Sequence, residues 1–185
     1  MKKRRAAEGY AIFPTAIGPC GIAWSRRGLV SIQLPEETAE ATRARLWDRI
    51  TLPDDGGTTQ PPAAVKAAIE RIIRHLTGED DANLDRIALD LDDVPPFHRK
   101  VYEAARRITR GEIRSYGDLA GDAGSPMAAR AVGQAMAKNP LPIVVPCHRV
   151  IAAGGKPGGF TSPGGLDTKA RLLAIEGAKL PRSKR

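Results

Sequence analysis

The stretch Ser115-Tyr116-Gly117-Asp118-Leu119-Ala120-Gly121-Asp122-Ala123-Gly124-Ser125-Pro126 decides the architecture of the second half of this chain. Serine is a strong N-cap, and proline suits the first turn of a helix because its missing N–H has no intrahelical partner there. The pattern therefore predicts a short helix from Tyr116 to Gly121, a turn through Asp122, Ala123 and Gly124, and a second helix opened by Ser125-Pro126 and reaching Lys138. Two short helices about a glycine-containing turn have the form of a helix-turn-helix. In the second helix Ala128, Ala131, Val132, Ala135 and Met136 fall on a core face, leaving Arg130, Gly133, Gln134 and Ala137 on the open side. A helix that reads bases in the major groove needs long polar side chains, whereas small ones let a helix lie close in a narrower groove with one arginine projecting. The other reading makes Arg130 a solvated charge and the small residues a device for tight packing.

Upstream, Phe97, Val101, Ala104, Ala105 and Ile108 recur at helical spacing behind Pro95-Pro96, with basic residues opposite. The run from Arg99 to Arg114 carries Arg99, Lys100, Arg106, Arg107, Arg110 and Arg114 against only Glu103 and Glu112, while Asp80 to Asp93 is acidic. A basic face thus belongs to the second half. Before it, Tyr10 to Phe13, Gly21 to Trp24 and Leu29 to Leu34 read as short strands of an antiparallel meander, with Gly18-Pro19-Cys20-Gly21 as a turn. Glu36 to Ile50 and Pro62 to Leu76 read as helices, the latter placing Val65, Ile69, Ile72, Ile73 and Leu76 on one face, and Ile87, Leu89 and Leu91 alternate again. The expected organisation is a small α/β domain over residues 1–92 and a mainly α domain with a basic tail over residues 93–185. Nothing in the first half forms a catalytic constellation.

With 42% hydrophobic and 27% charged residues among 185, the chain has the composition of a globular protein. The charged start from Met1 to Arg5 has no apolar stretch behind it, and no apolar run approaches a membrane span, so a cytoplasmic protein without membrane contact is expected. A net charge of +8 favours a polyanionic partner and equally serves solubility. Cys20 and Cys147 lack spaced partners, and His75, His98 and His148 are scattered, so neither a disulfide scaffold nor a metal site is expected. Cys20 reads as a small packed residue.

The apolar run Ile143-Val144-Val145 reads as a short strand delivering Cys147 between Pro146 and His148, followed by a loop rich in glycine from Gly154 to Gly165. A thiol becomes a good nucleophile near neutral pH only beside a base or a positive field, and His148 and Arg149 are the adjacent candidates. Neighbours on an extended strand point to opposite faces, so Cys147 and His148 meet only if the backbone turns or a water intervenes. Glu176, in a last helix expected from Asp167, could orient the imidazole as the acid of a Cys-His-acid set. A buried structural thiol and an exposed helix acid are the other readings.

Arg130-Ala131-Val132-Gly133, Asn139-Pro140 and Pro146-Cys147-His148-Arg149-Val150, with Ser115-Tyr116-Gly117 upstream and Gly164-Gly165-Leu166, Lys169, Leu172-Leu173 and Glu176 downstream, resemble the methylated-DNA--protein-cysteine methyltransferase family. The resemblance runs from about Pro96 to Gly177 and is specific, because several separated motifs occur in order. It implies a ribonuclease-H-like α/β domain followed by a winged-helix-like helix-turn-helix domain. It also implies repair of O6-alkylguanine, mainly O6-methylguanine, flipped from double-stranded DNA gripped in the minor groove, by a monomer without cofactor; whether O4-methylthymine is accepted stays open. By the same resemblance Cys147 is the alkyl acceptor, His148 a base acting through water, Glu176 the acid that orients it, and Asn139 the brace of the preceding turn. Arg130 fills the gap left by the extruded base, Tyr116 crowds the rotating phosphate and contacts that base, and Val150, Ser162 and Lys169 belong to the pocket.

Phe160-Thr161-Ser162-Pro163-Gly164-Gly165 departs from the family pattern by an apparent insertion, and the zinc ligands of some relatives are missing. Four rival classes fit less well. Alkyltransferase-like proteins that only bind the lesion lack the acceptor cysteine, a helix-turn-helix regulator needs a base-reading face, and a zinc nucleobase deaminase needs a second cysteine where Val150 stands. A Cys-His hydrolase gives no reason for the basic helix pair.

Overall fold

The computed structural model describes residues 4–79 and 83–178; the head of the charged start, the first part of the acidic run and the basic tail lie outside these residues. The chain divides between Asp93 and Val94 into two compact units. Among the described residues no helix is long and apolar enough to cross a membrane.

In the first unit β1 (Arg5–Ala6), β2 (Gly9–Thr15), β3 (Gly18–Ser25) and β4 (Gly28–Gln33) precede α1 (Ala39–Trp47), β5 (Ile50–Thr51) and α2 (Ala63–Leu76). Strands β2, β3 and β4 form the expected antiparallel meander, while β1 pairs in parallel with β5. The first hairpin turns at Ala16-Ile17, so Gly18-Pro19-Cys20-Gly21 lies within β3 rather than forming the turn. Gly18 itself has φ +123°, and a Cβ there would stand 2.9 Å from Pro35. Its neighbour Cys20 is fully buried, as a small packed residue should be.

Helix α1 is shorter than the expected span from Glu36 to Ile50. Thr38 caps it by accepting from the Ala41 amide at 3.1 Å, which leaves Glu36 and Glu37 outside, and Leu46 enters a core with Ala7, Ala23, Val30 and Ile50. Helix α2 buries Val65, Ala68, Ile72 and Leu76 and ends at Leu76, with Gly78 beyond the Thr77 C-cap closing the last turn at a left-handed φ of +99°. The alternation at Ile87, Leu89 and Leu91 does not become a named strand. Only Leu89 bridges, to Leu29, and the preceding Leu84–Arg86 is a 3-10 turn.

The second unit contains α3 (Pro96–Arg106), β6 (Arg114–Ser115), α4 (Tyr116–Asp122), α5 (Ala129–Ala137), β7 (Val150–Ile151) and α6 (Gly165–Ile175). Pro96 stands at the start of α3, which buries Val101, Tyr102, Ala104 and Ala105, and the Tyr102 hydroxyl donates to the Ala135 carbonyl at 3.0 Å. Helix α4 begins with a reciprocal capping box: the Asp118 amide donates to Ser115 Oγ at 3.0 Å and the Ser115 amide to the Asp118 carboxylate at 3.0 Å. Such a cap stabilises a helix by about 1 kcal/mol. At its other end Gly124, φ +73°, donates to Gly121 while Ser125 donates to Ala120, a Schellman closure that only a left-handed residue completes.

Helix α5 starts later than Ser125-Pro126. Those two residues instead open a β-turn closed by Ala128 N–H to Ser125 C=O at 2.9 Å, with Pro126 at its second position, and α5 begins at Ala129 without a side-chain cap. Its core face of Val132, Ala135 and Met136 is buried, and Arg130, Gln134 and Ala137 are exposed.

Candidate active site

The segment before Cys147 is a braced turn, which corrects the expected strand over Ile143 to Val145. Asn139 ties it across: its Nδ2 donates to the Val145 carbonyl at 2.8 Å and its Oδ1 accepts from the Leu141 amide at 2.9 Å. The Val145 amide closes the same turn on the Leu141 carbonyl at 2.8 Å. Within it Ile143 is held at φ +75°, a left-handed conformation that costs a β-branched residue about 1–3 kcal/mol. Pro140 and Pro142 help explain the departure, since neither can donate to a strand ladder.

Pro146 then makes an inverse γ-turn, with φ −79° and ψ 67° and the Cys147 amide on the Val145 carbonyl at 2.8 Å. Proline is apt there, because its ring holds φ near the required value. The chain continues as a 3-10 turn over Cys147–Arg149 before entering β7. Cys147 and His148 are thus neighbours on a turn and escape the opposed directions of strand neighbours.

Glu176 sits at the C-cap of α6, fixed by a second Schellman closure in which Gly177 takes φ +76°. Its Oε1 lies 2.7 Å from His148 Nε2 and accepts from Arg149 Nη2 at 2.8 Å, while Oε2 accepts from Arg149 Nε at 2.8 Å. Arg149 also donates through Nη1 to the Ile108 carbonyl at 2.5 Å. All three side chains are buried. A buried carboxylate requires a counter-charge, and a guanidinium, charged at every relevant pH, supplies one in bidentate geometry.

Burial pushes the Cys147 thiol above its ordinary range, opposed by hydrogen bonding with Asn139, the charge of Lys169 and the Cys147 and His148 amides. Lys169 is wholly buried, and its Nζ donates to the carbonyls of Val150 at 2.6 Å and Pro157 at 2.5 Å. Burial pulls its ammonium down to about 8 despite the opposing influence of Cys147. Tyr116, the first residue of α4, is partly buried; burial and then the Cys147 charge push its phenol up, while a hydrogen bond from the Gly159 amide works the other way.

Cys147 opens on a cavity of about 250 Å³ lined by Tyr116, Gly133, Met136, Ala137, Asn139, Pro142 and the Gly159–Ser162 loop. Thr161 pins that loop to the end of α5 through its hydroxyl on the Ala137 carbonyl at 3.1 Å. Of the sequence-derived candidates, Cys147, Asn139, Tyr116 and Ser162 line the cavity. His148 and Glu176 pair in the adjoining buried cluster, and Arg130 stands exposed on α5. Val150 and Lys169 are not among the lining residues. Both are buried, and the lysine ammonium is occupied by backbone carbonyls. Sequence reasoning missed the double engagement of Arg149 with Glu176; a charged residue inside the apolar run from Leu141 to Ile151 is the signal that a buried partner exists. The close approach implied by the glycine-rich loop is found at Gly158, whose φ is +70° and whose added Cβ would stand 2.9 Å from the Tyr116 hydroxyl.

The fold and site define an α/β protein with two short helices, α4 and α5, about a turn closed at Gly124, a cysteine-centred cavity beside α5 and a buried His-Glu-Arg cluster. Residues 96–178 match the model of the 6-O-methylguanine DNA methyltransferase DNA-binding domain. A methyltransferase of Mycolicibacterium paratuberculosis is 43% identical over 143 residues, covering 77% of this chain and 83% of its own. The crystal structure of Mycobacterium tuberculosis OGT in complex with DNA aligns with TM-score 0.69 and 32% identity over 95% of this chain and 96% of that one. The O6-methylguanine-DNA methyltransferase from Pyrococcus kodakaraensis aligns with TM-score 0.69 and 30% identity, over 91% of this chain and 99% of its own. The chain belongs to the methylated-DNA--protein-cysteine methyltransferase family.

Proposed function

We propose that this protein repairs DNA by moving an alkyl group, chiefly methyl, from O6 of guanine in duplex DNA onto Cys147. The observation that carries the reading is the Cys147 thiol at a cavity wall beside the hydrogen-bonded His148 and Glu176. Residues 93–185 act as the winged-helix-like DNA-binding alkyltransferase domain and residues 1–92 as a ribonuclease-H-like companion, in a monomeric cytoplasmic protein.

The lesion carbon is shielded inside a duplex, so the base must leave the stack, at a cost of a few kcal/mol that is smallest for a poorly paired lesion. Helix α5 presents Arg130 with small neighbours, a face suited to the minor groove, where Arg130 fills the vacated space. Contacts of that kind are mostly to backbone and shape, so flanking sequence matters little.

In the cavity the buried thiol resists ionisation, and a base is required. His148 takes the proton through a water, and the imidazolium so formed faces the Glu176 carboxylate. The thiolate attacks the alkyl carbon in line; the S–C bond forms as the C–O6 bond breaks, and the electron pair leaves with guanine. Tyr116 and backbone amides donate hydrogen bonds to the departing base. A thioether offers no easy return, so each molecule acts once. Mixing the protein with a duplex carrying one isotopically labelled O6-methylguanine should transfer label to wild type and none to Cys147→Ser; equal labelling of both would end this reading.

A further inference from the structure

The geometry points to Met127 as an apolar contact that seats the DNA duplex beside α5, an assignment that rests on the DNA reading above. Met127 is 98% exposed, whereas the other large exposed hydrophobic residues among those described, Trp47 and Leu166, are 41% and 45% exposed. It occupies the third position of the Ser125–Ala128 turn, directly after Pro126 and three residues before Arg130. The proline ring and the closing hydrogen bond hold the backbone there, so ordering this residue against a partner costs little backbone entropy.

The partner is set by charge and shape together. Residues 94–185 hold 16 of the 29 Lys and Arg but only 6 of the 21 Asp and Glu, which complements a polyanion. The exposed residues of α5 itself offer Arg130, Gln134 and Ala137 and no long apolar group, leaving Met127 to supply one. Minor-groove proteins use apolar side chains, Met among them, against sugar walls and base steps, and the flexible thioether adapts to irregular surfaces. Such a contact displaces no counterion, so it adds affinity that salt does not remove.

The test is fluorescence anisotropy of a labelled duplex carrying one O6-methylguanine, across a salt series, with wild type, M127A, M127K and R130A. M127A should weaken binding roughly fivefold at every salt concentration, as partial burial of one methionine implies, with a slope parallel to wild type. M127K should steepen the slope by about one unit. Thermal unfolding of both Met127 variants should superimpose on wild type, because the side chain lies outside the packed core. Wild-type affinity in M127A, with affinity lost in R130A, would overturn the Met127 assignment and leave the DNA reading standing. A loss in M127A confined to low salt would also overturn it, and failure of wild type to bind the duplex would overturn both.

Discussion

Glu176 Oε1 lies 2.7 Å from Nε2 of His148, and the same carboxylate is held on both oxygens by Arg149. The carboxylate that meets the imidazole is therefore itself immobilised by a permanent charge, and its place at the end of α6 is set by the left-handed Gly177. Replacing Glu176 by Gln keeps the shape but removes the counter-charge of a buried guanidinium. We expect E176Q to lose about 3 kcal/mol in urea unfolding. Its single-turnover transfer rate should fall by about 100-fold. A rate equal to wild type would remove His148 orientation from the mechanism.

Asn139 braces the turn that stores the strain of Ile143. Asn139→Ala breaks two side-chain bonds within the 139–145 turn, to Leu141 and Val145. At about 1 kcal/mol each, the variant should unfold about 2 kcal/mol more easily. Cys147 should also be alkylated by a small haloacetamide at an altered rate, because a hydrogen bond that lowers its thiol is gone.

Gly158→Ala should slow transfer without touching the nucleophile. The position has φ +70°, and the new Cβ would meet the Tyr116 hydroxyl at 2.9 Å, so either the loop or the tyrosine must shift. A decline of about tenfold in the transfer rate is expected from the displaced tyrosine, equivalent to about 1.4 kcal/mol of barrier. Gly154→Ala, with nothing within 4 Å of the added Cβ, shares the positive φ but not the collision and separates the two effects.

The helix pair α4 and α5 and the turn after α4 were legible because their signals are local. Ser115 with Asp118, and Gly124 at the turn, act over three or four residues, and the meander follows from alternation between two short turns. Where the reading went astray, distant or competing bonds decided. Ile143-Val144-Val145 has strand composition, but Asn139 and two prolines bend it into a turn. Ser125-Pro126 looks like a helix start, yet the Ala128 amide spends itself on Ser125. The two bonds of Arg149 to Glu176 span 27 residues and have no local signature.

Cys20 makes an independent prediction in the first unit. Burial pushes its thiol from an ordinary 9.0 up to about 12, against a weaker lowering by Thr15. A group whose folded value is raised contributes stability that is complete below pH 9.0 and is lost as pH climbs toward about 12. Urea midpoints measured between pH 8 and pH 11 should therefore fall more steeply for wild type than for Cys20→Ala. Parallel curves would contradict a buried, protonated Cys20.

The most direct test of the central claim is peptide mass spectrometry after incubation with excess duplex containing one O6-methylguanine. Acceptance by Cys147 predicts a gain of one methyl group on the Cys147 peptide, none on the Cys20 peptide, and saturation at one equivalent per protein. A duplex that is bound but leaves the Cys147 peptide unmodified, or methylation that appears on another residue, would contradict it.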